Sequence, residues 1–317
     1  MSFKRFWKRL MQKVKIIEVG PRDGLQNIQI VVPTDQKILF IKKLAACGMK
    51  EIEIGSFVAP RAIAQFKDIK EVVNGVRSLR GVVLSALIPN ERGAEAATAC
   101  GVKKLIFFFS VSREHNNSNV RQSPQESLKE LQRIGRSYLA DPAITLRVDL
   151  ATAFGCPFSG NITTAAVLRM VEKVAACGIR EITLCDTVGF GNPRMVEEKF
   201  SACRRLFPGI TFGAHFHNTR GLALANALCA YQTGIRSFDS AAGGLGGCPY
   251  APGSSGNVAT EDMVFMFEEM GVKTGVNLKK LLKVCSFLSK TLPHTRLASS
   301  LYQAGLPRIR KKRKRSC

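Results

Sequence analysis

The sequence predicts an α/β protein folded as a (β/α)8 TIM barrel with additional C-terminal helices. Short apolar strand candidates alternate with helical periodicity, and a helix–glycine–strand phrase recurs along the chain. Strands that alternate with helices form parallel sheets, and eight such units close into a barrel. The 317 residues are enough for one barrel of roughly 250 residues with extensions.

The recurring phrase marks the points where helices end. It begins with Ala-Cys-Gly at 46–48, returns at 99–101 and 176–178, and has a looser Thr-Gly copy at 233–234. In each copy a helix stops, glycine takes the left-handed cap, and a short apolar strand follows. The four remaining strands are predicted between the copies, at 14–19, 82–87, 144–150 and 210–217.

The connections between the strands have the 3.6-residue periodicity of amphipathic helices. Thr34, Thr163 and the Asn192-Pro193 pair are residues that typically open a helix, and each precedes such a stretch. A further helix is predicted at 278–292, beside the barrel. The competing fold, a doubly wound open sheet, is disfavoured because no Gly-x-Gly-x-x-Gly follows the first strand.

The net charge of +23 is unevenly distributed. Residues 1–15 carry six positive charges and residues 308–315 carry seven, so more than half of the excess lies at the two ends. We therefore divide the chain into a basic extension (1–13), a catalytic barrel with C-terminal helices (14–292) and a basic, disordered tail (293–317). Contact of the basic ends with nucleic acid or an anionic membrane is the less favoured account.

The composition also bears on the location of the protein. No apolar run approaches the roughly 18 residues that cross a bilayer, so no transmembrane segment is expected. The ten cysteines lack paired spacing, which favours a reducing compartment over a disulfide framework. The predicted location is the cytoplasm. The mitochondrial matrix is the alternative if the basic, aromatic N-terminus is a leader.

Two of the four histidines, His215 and His217, stand two residues apart in a predicted strand. Side chains of a strand alternate between its faces, so both imidazoles point to the same side. Neutral imidazoles side by side suit a divalent metal. Taken alone, the pair is equally consistent with partly buried polar residues near a strand end.

Polar side chains collect where the C-terminal ends of the strands meet, which is where such barrels carry their active sites. Asp23, after the first strand, adds a carboxylate to the two imidazoles, and Asn257 could add an amide oxygen. Nitrogen and oxygen donors without a thiolate favour Mg²⁺ or Mn²⁺ in an open site. The alternatives are an Asp-Gly turn at Asp23 and a helix cap at Asn257.

Four other side chains are candidates for catalysis. Arg22 would place a fixed cation beside the metal, where it can stabilise an enolate or carboxylate oxygen. Glu53 and Asp186 are carboxylates that could act as bases or orient Arg22. Cys248 lies in a glycine-rich loop that could close as a lid, and a lowered pKa would let its thiol move a proton. The alternatives are a surface ion pair for Arg22 and a passive thiol for Cys248.

Three motifs resemble the 3-hydroxy-3-methylglutaryl-CoA lyase family. They are Val-Gly-Pro-Arg-Asp-Gly-Leu-Gln-Asn at 19–27, the His-Phe-His of 215–217, and Gly-Gly-Cys-Pro-Tyr-Ala-Pro-Gly at 246–253. The likeness runs in order from about residue 14 to about residue 292. It implies a TIM barrel that cleaves its acyl-CoA substrate to acetyl-CoA and acetoacetate by retro-Claisen chemistry, a step of leucine degradation and ketone-body formation. Members of the family are usually homodimers.

The resemblance also implies roles for individual residues. Arg22 would steady the substrate oxygens, with Gln26 beside it as a substrate-binding residue. Cys248 would be the catalytic thiol, supported by Glu53 and Asp186. The implied ligands of the divalent metal are Asp23, His215, His217 and Asn257.

Two alternatives remain within the same superfamily. One is a lyase for another branched 3-hydroxyacyl-CoA, and the other is a Claisen-condensing synthase. The synthases usually carry an acidic residue where Leu25 stands, and many have a long regulatory C-terminal domain; this chain has neither. A nucleic-acid-binding protein that uses the basic ends is the alternative from a different class.

Overall fold

Eight parallel strands close into a barrel in the computed structural model, which describes residues 13–59, 61–247 and 256–307. Each strand pairs with the next in the sequence, and β1 pairs with β8 to complete the cylinder. The predicted TIM barrel is therefore confirmed. The strands are β1 (Lys15–Glu18), β2 (Glu51–Ser56), β3 (Val83–Ile88), β4 (Lys104–Ser110), β5 (Thr145–Ala151), β6 (Glu181–Asp186), β7 (Thr211–Phe216) and β8 (Ser237–Ser240).

Helices connect the strands and cover the outside of the barrel. The first eight are α1 (Thr34–Ala46), α2 (Ile69–Val76), α3 (Glu91–Ala99), α4 (Arg113–Val120), α5 (Pro124–Tyr138), α6 (Thr164–Ala176), α7 (Pro193–Leu206) and α8 (Ala223–Gln232). Three more follow β8, namely α9 (Thr260–Glu269), α10 (Leu278–Thr291) and α11 (Ser300–Ala304). Helix α10 packs on α1, which confirms the prediction of additional C-terminal helices beside the barrel.

Helix boundaries follow the sequence signals. Thr163 and Asn192 are N-caps whose side-chain oxygens accept the amides of Ala166 and Met195. Thr34 is instead the first residue of α1, and its hydroxyl donates to Asp68 at 2.6 Å. The glycines of the recurring phrase all have the left-handed backbone that side chains disfavour, with φ between +88° and +98°: Gly48, Gly101, Gly178 and Gly234.

Charged side chains meet at the N-terminal face of the barrel, away from the mouth. The Lys15 and Lys104 ammonium groups both contact the buried Glu51 carboxylate, at 2.5 and 3.2 Å, and Lys104 also contacts Glu181 at 2.5 Å. All four residues stand at the first position of their strands. Their pairing compensates charge that would be costly to bury alone, so these residues stabilise the N-terminal end of the barrel.

Packed structure continues past residue 292 into the segment that the sequence analysis assigned to a disordered tail. Leu297 and Leu301 are buried, and the amide of Leu301 donates to Asp262 at 2.8 Å. Buried apolar side chains and a hydrogen bond to α9 therefore hold this segment against the barrel. The basic ends themselves, residues 1–12 and 308–317, lie outside the described residues.

The cysteines behave as small packing residues. Eight of them lie in the described ranges, all as free thiols, and Cys47 and Cys203 are fully packed among apolar side chains. Cys248 and Cys317 fall outside those ranges. Among the helices that the structure describes, none has both the length and the apolarity to span a bilayer.

Phe267 of α9 is predicted to be a main anchor of the C-terminal helices. Its ring lies 5.4 Å from Tyr231 of α8 and 5.2 Å from Phe238 of β8, and it is fully buried. We expect Phe267→Ala to lower the free energy of unfolding by about 3–5 kcal/mol in urea titrations followed by circular dichroism. The control Leu206→Ala, at a residue 53% exposed, should change it by about 0.5 kcal/mol or less. Equal losses would contradict this packing.

Candidate metal centre and active site

A single tight turn presents Arg22 and Asp23 at the mouth of the barrel. Residues Gly20–Gly24 form one π-helical turn directly after β1. The amides of Arg22, Asp23 and Gly24 all donate to the carbonyl of Val19, at 3.1, 2.8 and 3.2 Å. Such single π-turns often occur at functional sites because they redirect side chains without breaking the backbone bonding.

Glu18 connects this turn to the segments that follow β8. Its buried carboxylate accepts the amides of Gly20 (2.8 Å) and Ala242 (2.9 Å) and the hydroxyl of Thr260 (2.8 Å). Burial raises the pKa of Glu18 to about 8. The first turn of the chain is therefore tied to the segments that follow β8, which brings Asp23 and Asn257 to the same place.

The two histidines lie side by side, as the sequence predicts. His215 is in β7, whereas His217 is one residue beyond the end of that strand at Phe216. Their ring centroids are 5.2 Å apart, and both side chains are buried. An isolated bridge pairs His217 with Asn257, so the end of β7 also positions the amide residue.

Asp23 and the two imidazoles form a donor set that fits a divalent metal. The Asp23 Oδ2 atom lies 3.6 Å from Nε2 of His217 and 3.9 Å from Nε2 of His215. One candidate ligand atom from each residue lies within 4.8 Å of the others. Ligands bound at about 2.1 Å stand about 3–4 Å apart, so little movement is needed to bind an ion here.

Asn257 can complete the set. Its Nδ2 donates to Asp23 Oδ2 at 2.7 Å and to the carbonyl of Leu245 at 3.1 Å. Its buried Oδ1 accepts no hydrogen bond from any residue in the described ranges. A buried acceptor without a donor is costly, and a cation would satisfy it. The helix-cap alternative is wrong, because α9 begins at Thr260 and Ala259 holds the cap position.

Gly246 lets the loop after β8 approach this cluster. Its φ is +111°, and a Cβ at this position would stand 2.7 Å from Nδ2 of Asn257. Any larger residue would push the Asn257 amide away from Asp23. Part of the glycine content of this loop therefore serves close approach to the metal centre.

Arg22 is buried and held on two sides. Its Nε donates to Glu53 Oε1 at 2.5 Å, and its Nη1 donates to Asp23 Oδ1 at 2.6 Å. Burial disfavours the cation, but Glu53 and Asp23 outweigh it and raise the pKa of Arg22 above its ordinary value. The surface ion-pair alternative is therefore wrong: Arg22 is 6% exposed and fixed in orientation.

The same charges set the state of the two carboxylates beside Arg22. Burial raises the pKa of Glu53 to about 7, even though Arg22 opposes that shift. Burial would also raise the pKa of Asp23, but Arg22 and then the two imidazoles hold it well below its usual range. Asp23 is therefore a carboxylate at neutral pH, as it would have to be to bind a metal.

Asp186 contacts backbone amides of the loop after β6 and not Arg22. It ends β6, is fully buried, and accepts the amides of Phe190 (2.8 Å) and Gly191 (3.0 Å). Burial raises the pKa of Asp186. Asp186 thus holds the loop after β6. Of the two carboxylates that were predicted to orient Arg22, only Glu53 contacts it.

A cavity of about 190 Å³ opens above the metal centre. Arg22, Asp23, Gln26 and both histidines line it, and apolar side chains such as Leu87 form another part of its wall. Sites for drug-sized ligands are typically about 300–1,000 Å³, so this space is smaller than a site that encloses a whole drug-sized ligand. The prediction that Gln26 faces the substrate is consistent with this lining.

Sequence reasoning assigned no role to several polar residues of the site. His115 lines the cavity, its Nδ1 lies 2.7 Å from the Ser110 hydroxyl, and burial lowers its pKa to about 4. Asp149 of β5 lines the same cavity. Arg147 and Asp239 lie behind it, inside the barrel. In the sequence, these strand residues are recognisable only as charged residues within apolar strands. Which of the charged side chains contact one another becomes visible only from the register of the strands.

Cys248 lies outside the described residues, and so does most of the loop predicted to act as a lid. The preceding residue, Gly247, lines the cavity, and its carbonyl accepts the side-chain amide of Asn27 at 3.0 Å. The chain therefore runs along the cavity rim immediately before Cys248.

An eight-stranded barrel that carries two imidazoles, a carboxylate and a free amide oxygen at its C-terminal mouth belongs to the metal-dependent TIM-barrel enzymes. Within that class, the chain belongs to the HMGL-like family, whose model matches residues 13–288. Membership of this family implies a divalent metal.

Named relatives agree with the family assignment. The chain is 45% identical to the hydroxymethylglutaryl-CoA lyase of Bacillus subtilis over 89% of this chain and 94% of that protein. It is 41% identical to the human mitochondrial hydroxymethylglutaryl-CoA lyase over 93% of this chain and 90% of that protein.

Solved structures give the same result. The HMG-CoA lyase of Bacillus subtilis superposes with a TM-score of 0.89 at 43% identity, covering 92% of this chain and 98% of that one. An HMG-CoA lyase from Acinetobacter baumannii, in complex with coenzyme A and 3-methylmalate, superposes with a TM-score of 0.88 at 40% identity, covering 94% and 98%.

Removal of one imidazole should remove the metal without unfolding the barrel. We expect His217→Ala to lose its bound divalent metal. Its affinity for the metal should fall by more than the roughly 10–100-fold that follows removal of a residue hydrogen-bonded to a ligand. Elemental analysis after dialysis measures the metal, and far-UV circular dichroism reports the fold. His294→Ala, at an exposed histidine, is the matched control. Retention of metal by His217→Ala would refute the ligand assignment.

Proposed function

We propose that this protein is a carbon–carbon lyase that cleaves 3-hydroxy-3-methylglutaryl-CoA to acetyl-CoA and acetoacetate. The observation that carries the proposal is the convergence of Arg22, Asp23, His215 and His217 on one small cavity. The similarity to hydroxymethylglutaryl-CoA lyases over nearly the whole chain supports it. The coenzyme A present in the Acinetobacter baumannii structure supports an acyl-CoA substrate.

The substrate is a tertiary alcohol that must lose a proton as its carbon–carbon bond breaks. A divalent cation held by Asp23, His215, His217 and Asn257 would act as a Lewis acid that lowers the pKa of that alcohol. Nitrogen and oxygen donors without a thiolate favour Mg²⁺ or Mn²⁺ for this role.

Arg22 meets the charge that develops on the other product. When the bond breaks, acetyl-CoA leaves as an enolate, whose oxygen needs a nearby cation. Glu53 and Asp23 hold the guanidinium in place before the substrate arrives, so no reorganisation is needed at the moment of cleavage. Gln26, on the next turn of the chain, can bind the polar oxygens of the acyl group from the same wall.

The enolate carbon must then gain a proton. We assign this transfer to the thiol of Cys248, because the neighbouring Gly247 lines the cavity and a thiol can exchange protons near neutral pH when cations are close. Asp186 acts indirectly, by holding the loop after β6 through the amides of Phe190 and Gly191.

Assembly and location are also part of the proposal. A homodimer in the cytoplasm fits the resemblance to the family and the similarity to a bacterial lyase. Light scattering on the purified chain tests the dimer. Contact with nucleic acid or an anionic membrane is the less favoured account, and it concerns the basic ends, which lie outside the described residues.

Purified protein should release acetyl-CoA and acetoacetate in equal amounts from 3-hydroxy-3-methylglutaryl-CoA. We expect Arg22→Lys to lower kcat by about 10²–10³-fold, because an ammonium cannot span Glu53 and the enolate oxygen together. Steady-state kinetics measures the change, with the exposed Arg77→Lys as the control. If the protein cleaves a different branched 3-hydroxyacyl-CoA and not this substrate, the proposed substrate is wrong. The protein would then be the related lyase named as an alternative above.

The thiol can be tested separately from the cation. Cys248→Ala should lower kcat by about 10²–10⁴-fold while leaving metal content unchanged, since the thiol moves a proton and does not ligate. Cys177→Ala, at a partly exposed thiol at the end of α6, is the matched control. Full turnover by Cys248→Ala would show that another group supplies the proton.

A further inference from the structure

His215 has a second partner on the side away from Asp23. Its Nδ1 lies 3.3 Å from Oδ2 of Asp239, while its Nε2 faces Asp23. The register between β7 and β8 pairs these two residues directly. Asp239 is 2% exposed, so this contact is inside the barrel and shielded from water.

Arg147 holds that carboxylate from the opposite side of the barrel. Its Nη1 donates to Asp239 Oδ1 at 3.1 Å, and its Nη2 donates to Asp239 Oδ2 at 2.8 Å. The same guanidinium contacts Asp149, with Nη2 to Oδ2 at 2.9 Å. Strands β5 and β8 are not neighbours in the sheet, so the side chain of Arg147 crosses the barrel interior to reach Asp239.

Charge compensation keeps Asp239 an acceptor. Arg147 donates to both oxygens of Asp239, so its guanidinium neutralises this buried carboxylate. Both of its oxygens therefore accept hydrogen bonds, and neither carries a proton that could oppose the imidazole.

We propose that Asp239, locked by Arg147, is a positioning residue that fixes the tautomer and the angle of His215 for metal binding. This inference rests on the proposed metal-dependent function. An imidazole that donates its Nδ1 proton to Asp239 keeps the lone pair on Nε2, directed towards Asp23, where a metal would bind. The opposite tautomer would place a proton where the metal must bind.

A carboxylate is needed at position 239 because an amide cannot meet both demands. Arg147 donates to both oxygens, and Oδ2 also faces the imidazole. In Asp239→Asn, the NH₂ group of the amide is a hydrogen-bond donor. It would face another donor, either an N–H group of Arg147 or the Nδ1 proton of His215. Transfer of the imidazole proton from Nδ1 to Nε2 relieves the second conflict, but it removes the lone pair on Nε2 that a metal would need.

The competing account is that Asp239 and Arg147 form a structural ion pair only. Loss of a buried partner is strongly destabilising in either case, so stability does not separate the two. Metal affinity does, because a structural pair would leave the affinity of the folded variant unchanged.

The test is a Mn²⁺ titration of the full chain, stripped of metal with chelator and followed by electron paramagnetic resonance. We expect Asp239→Asn to raise the Kd for Mn²⁺ about 10–100-fold, and Arg147→Lys to raise it less. Asp68→Asn is the matched control, since Asp68 is a mostly buried carboxylate paired with Lys37 at 2.7 Å, away from the site. An unchanged Kd in folded Asp239→Asn would overturn the inference.

A measurement on the wild-type chain keeps the inference testable if the variants do not fold. With ¹⁵N-labelled histidine, long-range ¹H–¹⁵N spectra of the metal-free protein at a pH above the imidazole titration should show His215 protonated on Nδ1. Protonation on Nε2 would overturn the inference. A wild type that binds no Mn²⁺ overturns both this inference and the proposed function, whereas normal binding with an unaffected variant overturns this inference alone.

Discussion

Closure of the barrel between β1 and β8 is the constraint on which the site depends. The register that pairs Lys15–Glu18 with Ser237–Ser240 sets the turn after β1 beside the ends of the last strands. Glu18 strengthens the closure by accepting the amides of Gly20 and Ala242. As a result, Asp23 lies within 4 Å of imidazoles almost 200 positions later in the chain. An open sheet of the same strands would leave these donors apart.

Two arginines that are buried inside the barrel are each paired with two carboxylates. Arg22 lies between Glu53 and Asp23, and Arg147 lies between Asp239 and Asp149. Each cation lowers the cost of the carboxylates beside it, and each carboxylate holds its cation in one orientation. Stability and pre-organisation therefore come from the same contacts, since a site that is already polar and rigid needs no rearrangement when charge develops.

Much of the fold could be predicted, because its signals are local. A glycine at the end of a helix, followed by an apolar strand, is a property of a short segment, and Gly48 and Gly178 show the expected backbone. The His215 and His217 pair follows from strand alternation alone. The pairing of Arg147 with Asp239 joins strands far apart in sequence, and only the closed register reveals it. The docking of Leu301 likewise depends on a surface that the sequence does not display.

We propose that Asp23 and both imidazoles share one divalent ion. Electron spin-echo spectroscopy of the Mn²⁺-loaded chain, with ¹⁵N-histidine against natural abundance, counts the imidazole nitrogens bound to the ion. The structure predicts one Mn²⁺ per chain with two directly bound imidazole nitrogens, since both Nε2 atoms lie within 4 Å of Asp23 Oδ2. Coupling to one nitrogen or to none would contradict it.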